Sequence, residues 1–268
     1  MAARAAGALV LGALAACSAR ECTAPDVDTD GAFPADCTSV SLCANATQRL
    51  AVATVLSTFR ALAGHASIGA LSVDGCLPGD AGLAMLAEHA LRSPPPLLAH
   101  LDLRRNGLAD VGALAEALRT NALGVRVLDL RWNAIGAKGG GALATALSTN
   151  NALAELRLGW NGLKDRGARA IGEALASNDA LATLDLEHNS IKDRGALGIA
   201  SGLRANSAIS TLAIGGNGVS AAVRQQLEAA LLATPPPKAP RPASEEPPAA
   251  RAHEEEEEVE EISLDDAD

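Results

Sequence analysis

Aromatic side chains are nearly missing: in 268 residues there is no tyrosine, and there are two phenylalanines and two tryptophans. Stacked rings therefore cannot build the core. It must come from Leu, Ile, Val and Ala within the 48% of hydrophobic residues, which is enough for a substantial one. A basic excess is missing too. The formal charge is −10, and residues 235–268 account for −9 of it, twelve acids against Lys238, Arg241 and Arg251. The remainder is close to neutral and carries no basic stripe, which excludes nucleic-acid binding led by phosphate contacts. No apolar run reaches the roughly 20 residues of a transmembrane helix. No glycine-rich loop has P-loop spacing. Cys22, Cys37, Cys43 and Cys76 are spaced 15, 6 and 33 residues apart, with no close pair of the zinc-finger kind. No metal and no cofactor is expected.

What the chain has instead is repetition. Leu153–Ala180 reads LAELRLGWNGLKDRGARAIGEALASNDA, and the segments on either side rewrite it. Aligned on Leu-x-x-Leu-x-Leu-x-x-Asn-x-Leu, the copies are Leu98/Leu101/Leu103/Asn106/Leu108, Val125/Leu128/Leu130/Asn133/Ile135, Leu153/Leu156/Leu158/Asn161/Leu163, Leu181/Leu184/Leu186/Asn189/Ile191 and Ile209/Leu212/Ile214/Asn217/Val219. Their asparagines stand 27, 28, 28 and 28 residues apart. A weaker first copy has Ile68, Leu71 and Val73, with Cys76 in the asparagine's place and Pro78 where the last apolar residue belongs. Six units result.

The leucines on either side of one polar residue share a face of a short strand. The asparagine after them turns the chain inward, where its side chain can bond backbone groups that a bend leaves unpaired. The period then becomes helical at Gly167, Ala168, Ala170, Ile171, Ala174 and Leu175, and again at Gly195, Ala196, Ile199 and Leu203. Small residues, Gly139-Gly140-Gly141 among them, suggest that each helix lies close to the sheet. Asp165 and Asp193 suit helix N-caps, and Asn121, Asn150, Asn178 and Asn206 suit helix ends with positive φ. Since one unit exposes its apolar side, only stacking buries it.

This pattern resembles the leucine-rich repeat family, over about 165 of the 268 residues. The 28-residue unit with a full helix is similar to the ribonuclease-inhibitor-like subtype. The resemblance implies an α/β solenoid, a horseshoe of about six βα repeats with a parallel concave sheet and outer helices. It also implies a non-enzymatic protein-binding module that acts through the concave face. In the subtype a cysteine can replace the ladder asparagine, so Cys76 is expected there as a buried, reduced thiol beside Asn106, Asn133, Asn161, Asn189 and Asn217. The competing reading counts it with Cys22, Cys37 and Cys43 as four cysteines of an oxidised cap, which allow three pairings.

Four segments follow. Residues 1–19 have a positive start, an apolar run and small residues at a cut site, which describes a secretory signal. Leu14-Ala15-Ala16-Cys17 also resembles a bacterial lipobox with Cys17 as the lipidated residue. The competing reading is an alanine-rich start without a targeting role. The first reading puts the protein outside the cytoplasm and the second keeps it inside. Residues 20–67 form a cysteine-containing, loop-like cap that ends in a helix from about Ala46 to Leu62, with Cys22, Cys37 and Cys43 as disulfide candidates. Asn45-Ala46-Thr47 is a glycosylation sequon, although Asn45 also suits the N-cap of that helix. Repeats occupy 68–234, and the last helix, Ala221 to Leu232, must close them. Residues 235–268 are a proline-rich spacer and then an acidic stretch, read as disordered.

The candidate site is the concave face. The alignment places His100, Asp102, Arg104 and Arg105 there, then Val127, Asp129, Arg131 and Trp132, Glu155, Arg157, Gly159 and Trp160, Thr183, Asp185, Glu187 and His188, and Thr211, Ala213, Gly215 and Gly216. Trp132 and Trp160, the only tryptophans, both precede a ladder asparagine in adjacent repeats and should lie about 5 Å apart. With Arg104, Arg105, Arg131 and Arg157 they are the residue types that anchor interfaces. The arginines would pair with acids of the partner, while Asp129, Asp185 and Glu187 fix register. The competing reading is that the indoles lie flat on neighbouring repeats and only stabilise them. His100 and His188 should be about 15 Å apart, too far to share a metal or proton relay. A monomer is expected.

The acidic tail is read as a solubilising extension, or as a docking arm for a basic protein that phosphorylation of Ser263 would charge further. An acidic tail after such repeats also resembles the Ran GTPase-activating proteins, which implies a cytoplasmic GTPase activator as a second function. A purely structural repeat protein is the third.

Overall fold

The computed structural model describes residues 20–23, 33–42, 52–63 and 65–233. The expected signal, Cys17, Cys43, Asn45 and the tail lie outside them. Each Leu-x-x-Leu-x-Leu copy centres on a three-residue strand: β3 (Ala70–Ser72), β4 (His100–Asp102), β5 (Val127–Asp129), β6 (Glu155–Arg157), β7 (Thr183–Asp185) and β8 (Thr211–Ala213). The helices that follow them are α2 (Gly79–His89), α3 (Gly112–Arg119), α4 (Gly136–Leu147), α5 (Lys164–Leu175), α6 (Asp193–Leu203) and α7 (Ala221–Leu232). The strands form one parallel sheet in sequence order, and the intervening helix makes each parallel return possible. Register is direct, with Leu101 opposite Leu128, Leu128 opposite Leu156, Leu156 opposite Leu184 and Leu184 opposite Leu212. The central leucines thus form one row, and those from Leu101 to Leu184 are buried.

The segment expected to be a loop-like cap instead extends this sheet. β1 (Arg20–Cys22) and β2 (Cys37–Ser41) precede β3, with Ser39 opposite Ala70 and Val40 opposite Leu71. Cys37, Val40 and Leu42 are buried like repeat leucines, so period-two burial overrides the segment's polar composition. Helix α1 (Val52–Leu62) follows them, and both phenylalanines, Phe33 and Phe59, are buried in this part of the chain. Cys22 and Cys37 form a disulfide. Cys76 is buried as expected, but it is disulfide-bonded, not reduced. The first unit pairs with β2, in the segment whose sequence holds Cys22, Cys37 and Cys43, whereas the units deeper in the stack have no cysteine beside them.

The asparagines form the expected ladder. Asn189 Oδ1 accepts the Asn161 and Leu163 N–H groups at 3.0 and 3.2 Å, and its Nδ2 donates to the Leu158 carbonyl at 2.8 Å. Asn133 and Asn217 repeat the arrangement. At the first unit Pro78 has no N–H to give, so Asn106 Oδ1 takes the Leu77 N–H at 2.8 Å. A second ladder runs behind the helices. Asn150, Asn178 and Asn206 are buried, and Asn178 Nδ2 donates to the Leu147 and Asn150 carbonyls at 2.7 and 2.9 Å. Of the four asparagines expected at positive φ, only Asn121 has it, at 52°. It is exposed, whereas the other three use their amides to hold buried backbone.

Two further local expectations are corrected. Asp165 and Asp193 do not cap their own helices. They reach across to the next repeat, where Asp165 Oδ1 accepts the Lys192 and Gly195 N–H groups at 2.7 and 3.1 Å and Asp193 Oδ1 accepts Ser220 N–H at 2.7 Å. Of the three glycines expected against the sheet, Gly139 meets Ile135 of its own unit and Val111 of the one before, Gly141 meets nothing within 4 Å, and Gly140 brings helix to helix, as glycines of the later helices do. A Cβ on Gly140 would meet Leu163 and Gly167 of the next unit, and one on Gly202 would overlap the Gly172 carbonyl oxygen.

Candidate functional site

Beyond β4, β5, β6 and β8 the ladder amide ties down the carbonyls two and three residues before it, as Asn161 Nδ2 does with Gly159 at 3.2 Å and Leu158 at 3.0 Å. The residue between them and the asparagine must then turn sharply. It is left-handed in every unit: Gly75, Arg105, Trp132, Trp160, His188 and Gly216 have φ of 71°, 57°, 60°, 62°, 52° and 67°. For a residue other than glycine this backbone costs about 1–2 kcal/mol, and four successive units accept the cost. Repeat stacking then lines these residues up at the strand spacing. Trp132 and Trp160 stack with ring centroids 4.3 Å apart and planes 8° from parallel, and Trp160 and His188 stack at 4.0 Å and 16°. The His188 ring lies against Gly216, where a Cβ would overlap it. The indoles therefore lie on one another, while 51% of Trp132 and 42% of Trp160 stay exposed.

Beside this column runs a network of charges. Arg104 binds Asp102 at 2.7 Å and Asp74 at 3.4 Å, and Arg105 pairs with Asp74. Asp129, expected to face solvent, is buried. Arg131 Nη2 at 2.6 Å, Arg157 Nη1 at 3.4 Å and Arg104 Nε at 3.7 Å cover its carboxylate. Arg157 also holds Glu155 at 2.6 Å. All four arginines expected to meet acids of a partner thus have acids within the chain. Burial raises the Asp102 carboxyl, but hydrogen bonds and charge from Arg104, with the Ser72 hydroxyl, outweigh it and leave the group below the ordinary carboxylate value. Bonding to Asp129 raises Arg131, and bonding to Glu155 raises Arg157. A groove of about 320 Å³ opens over this half of the face, between Ser39, Ser72, His100 and Arg157.

The other half differs. Asp185 Oδ1 accepts the Glu187 N–H at 2.9 Å, and neither carboxylate has an ion pair among the described residues. His100 opens β4 and His188 lies in the turn after β7, three units further along the sheet order. Among the described residues no group of three or more His, Cys, Asp or Glu is placed to hold a metal ion, and no helix is long and apolar enough to cross a membrane. The left-handed column was not read from the sequence. Its signal is the recurrence of Gly, Arg, Trp, Trp, His and Gly one place before the ladder.

A leucine-rich repeat family model matches residues 96–115, 125–144, 149–172 and 180–200. No curated protein matches the chain. Among solved structures, the leucine-rich repeat-containing protein LegL7 from Legionella pneumophila is 21% identical, over 75% of this chain and 74% of its own, with a TM-score of 0.47. An internalin, inlF, from Listeria monocytogenes is 18% identical over 74% of this chain and 46% of its own, also with a TM-score of 0.47. Leiomodin-1 actin-binding site 2 is 23% identical over 45% of this chain and 69% of its own, with a TM-score of 0.39. The resemblance to GTPase activators rests on a tail outside the described residues. The four family matches fall on four of the units that the ladder and strand register define independently, so these units are leucine-rich repeats.

Proposed function

We propose that the chain is a non-enzymatic interaction module that binds a protein partner on the concave face of its sheet. The observation that carries this is the exposed stack of Trp132 and Trp160. The only two tryptophans of the chain stand half in solvent, in a backbone conformation that disfavours bulky side chains, on a sheet face that nothing among the described residues covers. Tryptophan is the residue type most enriched among interface anchors. The internal pairing of the arginines suits a preorganised surface, since side chains already fixed lose less freedom on association. Immobilised protein should retain a partner from its native source, identified by mass spectrometry, and the Trp132→Ala/Trp160→Ala variant should release it. Unchanged retention, with only a lower melting temperature, would identify the stack as structural.

A further inference from the structure

We propose that the partner supplies positive charge to the carboxyl-terminal half of the concave face. Lysine or arginine side chains would pair with Asp185 and Glu187, their stems lying against the exposed indole edges; this rests on concave-face binding as proposed above.

The argument starts from a motif that is kept and then broken. β4 runs into Asp102-Leu103-Arg104 and β5 into Asp129-Leu130-Arg131, and each arginine folds back onto the aspartate two places before it, at 2.7 and 2.6 Å. Each of these aspartates also accepts the arginine's backbone N–H, at 3.1 Å in both cases. β7 keeps the aspartate and its backbone bond, since Asp185 accepts Glu187 N–H at 2.9 Å. It puts glutamate where the arginine stood, so a second negative charge replaces the neutralising one. Neighbouring repeats do not repair the loss. Arg157 is the register partner of Asp185, yet its guanidinium turns toward Glu155 and Asp129. Arg131 lies on Asp129. On the other side β8 offers Ala213, opposite Asp185.

Glycines leave both acids accessible. Asp185 Oδ2 lies 3.2 Å from where a Cβ of Gly159 would stand, and Glu187 Oε1 lies 2.9 Å from that of Gly215. Gly159 directly precedes Trp160, so carboxylate and indole border one patch. The four arginines and the acids they hold make one half of the face internally balanced, and the other half keeps two uncompensated negative charges beside an apolar ridge. Like charge from a partner is disfavoured there and opposite charge is favoured. The exposed ring edges give the long apolar stem of a lysine or arginine a surface to lie on.

The two tryptophans report on this patch alone, because the chain has no others. Two blocked synthetic peptides of equal length, alternating leucine with arginine or leucine with glutamate, are titrated into the full chain while tryptophan emission is followed. The arginine peptide should shift the emission saturably, the glutamate peptide should not, and Asp185→Asn/Glu187→Gln should weaken the response about tenfold. An undiminished response in that variant overturns the proposal. So does arginine-peptide binding that leaves the emission unchanged, the result expected if the acidic tail alone captures it. A response to the glutamate peptide only would overturn the charge assignment and leave concave-face binding standing. Silence from both peptides overturns it too, and partner retention by the tryptophan variants then decides the concave face separately.

Discussion

A single position, the one before each ladder asparagine, shows how one residue answers to both fold and site. At Trp132 the backbone is left-handed at φ 60°, while the ring gains a stack on Trp160 worth about 0.5–1.5 kcal/mol. Trp132→Ala should lose the stack and keep the strain, whereas Trp132→Gly loses the stack and relieves the strain. The glycine variant should therefore be more stable than the alanine variant by about 1 kcal/mol in urea unfolding, and equal stability would contradict a left-handed backbone. One repeat on, beside Trp160, Asn161→Ala would strand the carbonyls of Leu130 and Leu158, now bonded at 2.9 and 3.0 Å, and should cost about 2–4 kcal/mol. Asp102 adds a pH dependence. Its carboxyl is below the ordinary value in the folded state, so its contribution is present above about pH 4 and is lost as pH falls through the lower folded value. Asp102→Asn should flatten the acid side of the stability curve measured by chemical unfolding between about pH 5 and 2. The ladder was legible from spacing alone, because a buried amide that must bond two repeats cannot drift in register. Asp129 was not. Alternation puts it on the solvent side of the strand, and only the three arginines that close over it decide that it is buried.

At the scale of elements, what the sequence leaves open is which neighbour a small or capping residue serves. Period-3.6 patterning locates α5 and α6, but it cannot say that Asp165 caps the following helix, since that bond spans 27 residues. Glycine is likewise ambiguous until the neighbours are in place. In α6, a methyl group on Gly202 would overlap the Gly172 carbonyl oxygen of α5, and Gly172 itself faces Gly198. Backbone cannot yield as a side-chain end can, so Gly202→Ala should force the helices apart and cost about 1–3 kcal/mol. A methyl group on Gly141 in α4 would have nothing within 4 Å. Gly141→Ala should therefore stabilise by about 0.5–1 kcal/mol through helix propensity alone. Thermal melts of the two variants should move in opposite directions. If both fell, the helix-to-helix contact would not be what selects glycine at Gly202.

At the scale of the whole repeat stack, stability is the sum of each unit's own terms and its contacts with the units beside it, so the ends decide where unfolding starts. The amino-terminal end is closed by β1, β2 and α1 over the two phenylalanines, and by the Cys22–Cys37 disulfide. That closure was half legible: Cys37, Val40 and Leu42 carry the repeat spacing and lead to Asn45, but the polar residues between them mask it. The carboxyl-terminal end was expected to be closed by its last helix, and it is less well covered. Leu212 and Ile214 are only partly buried where their counterparts Leu184 and Leu186 are fully so, and Leu232 is 83% exposed. Amide hydrogen exchange should therefore show least protection in β8 and α7, rising toward the units around Leu156, with opening free energies graded along the chain. Reduction removes the Cys22–Cys37 crosslink across 15 residues, worth about 3 kcal/mol, and with it the disulfide of Cys76 in the first repeat. It should lower protection in β1, β2 and the first repeat while the tryptophan units keep theirs. If reduction instead lowered protection equally from β1 to β8, the stack would be unfolding as one cooperative block and the nearest-neighbour account would fail.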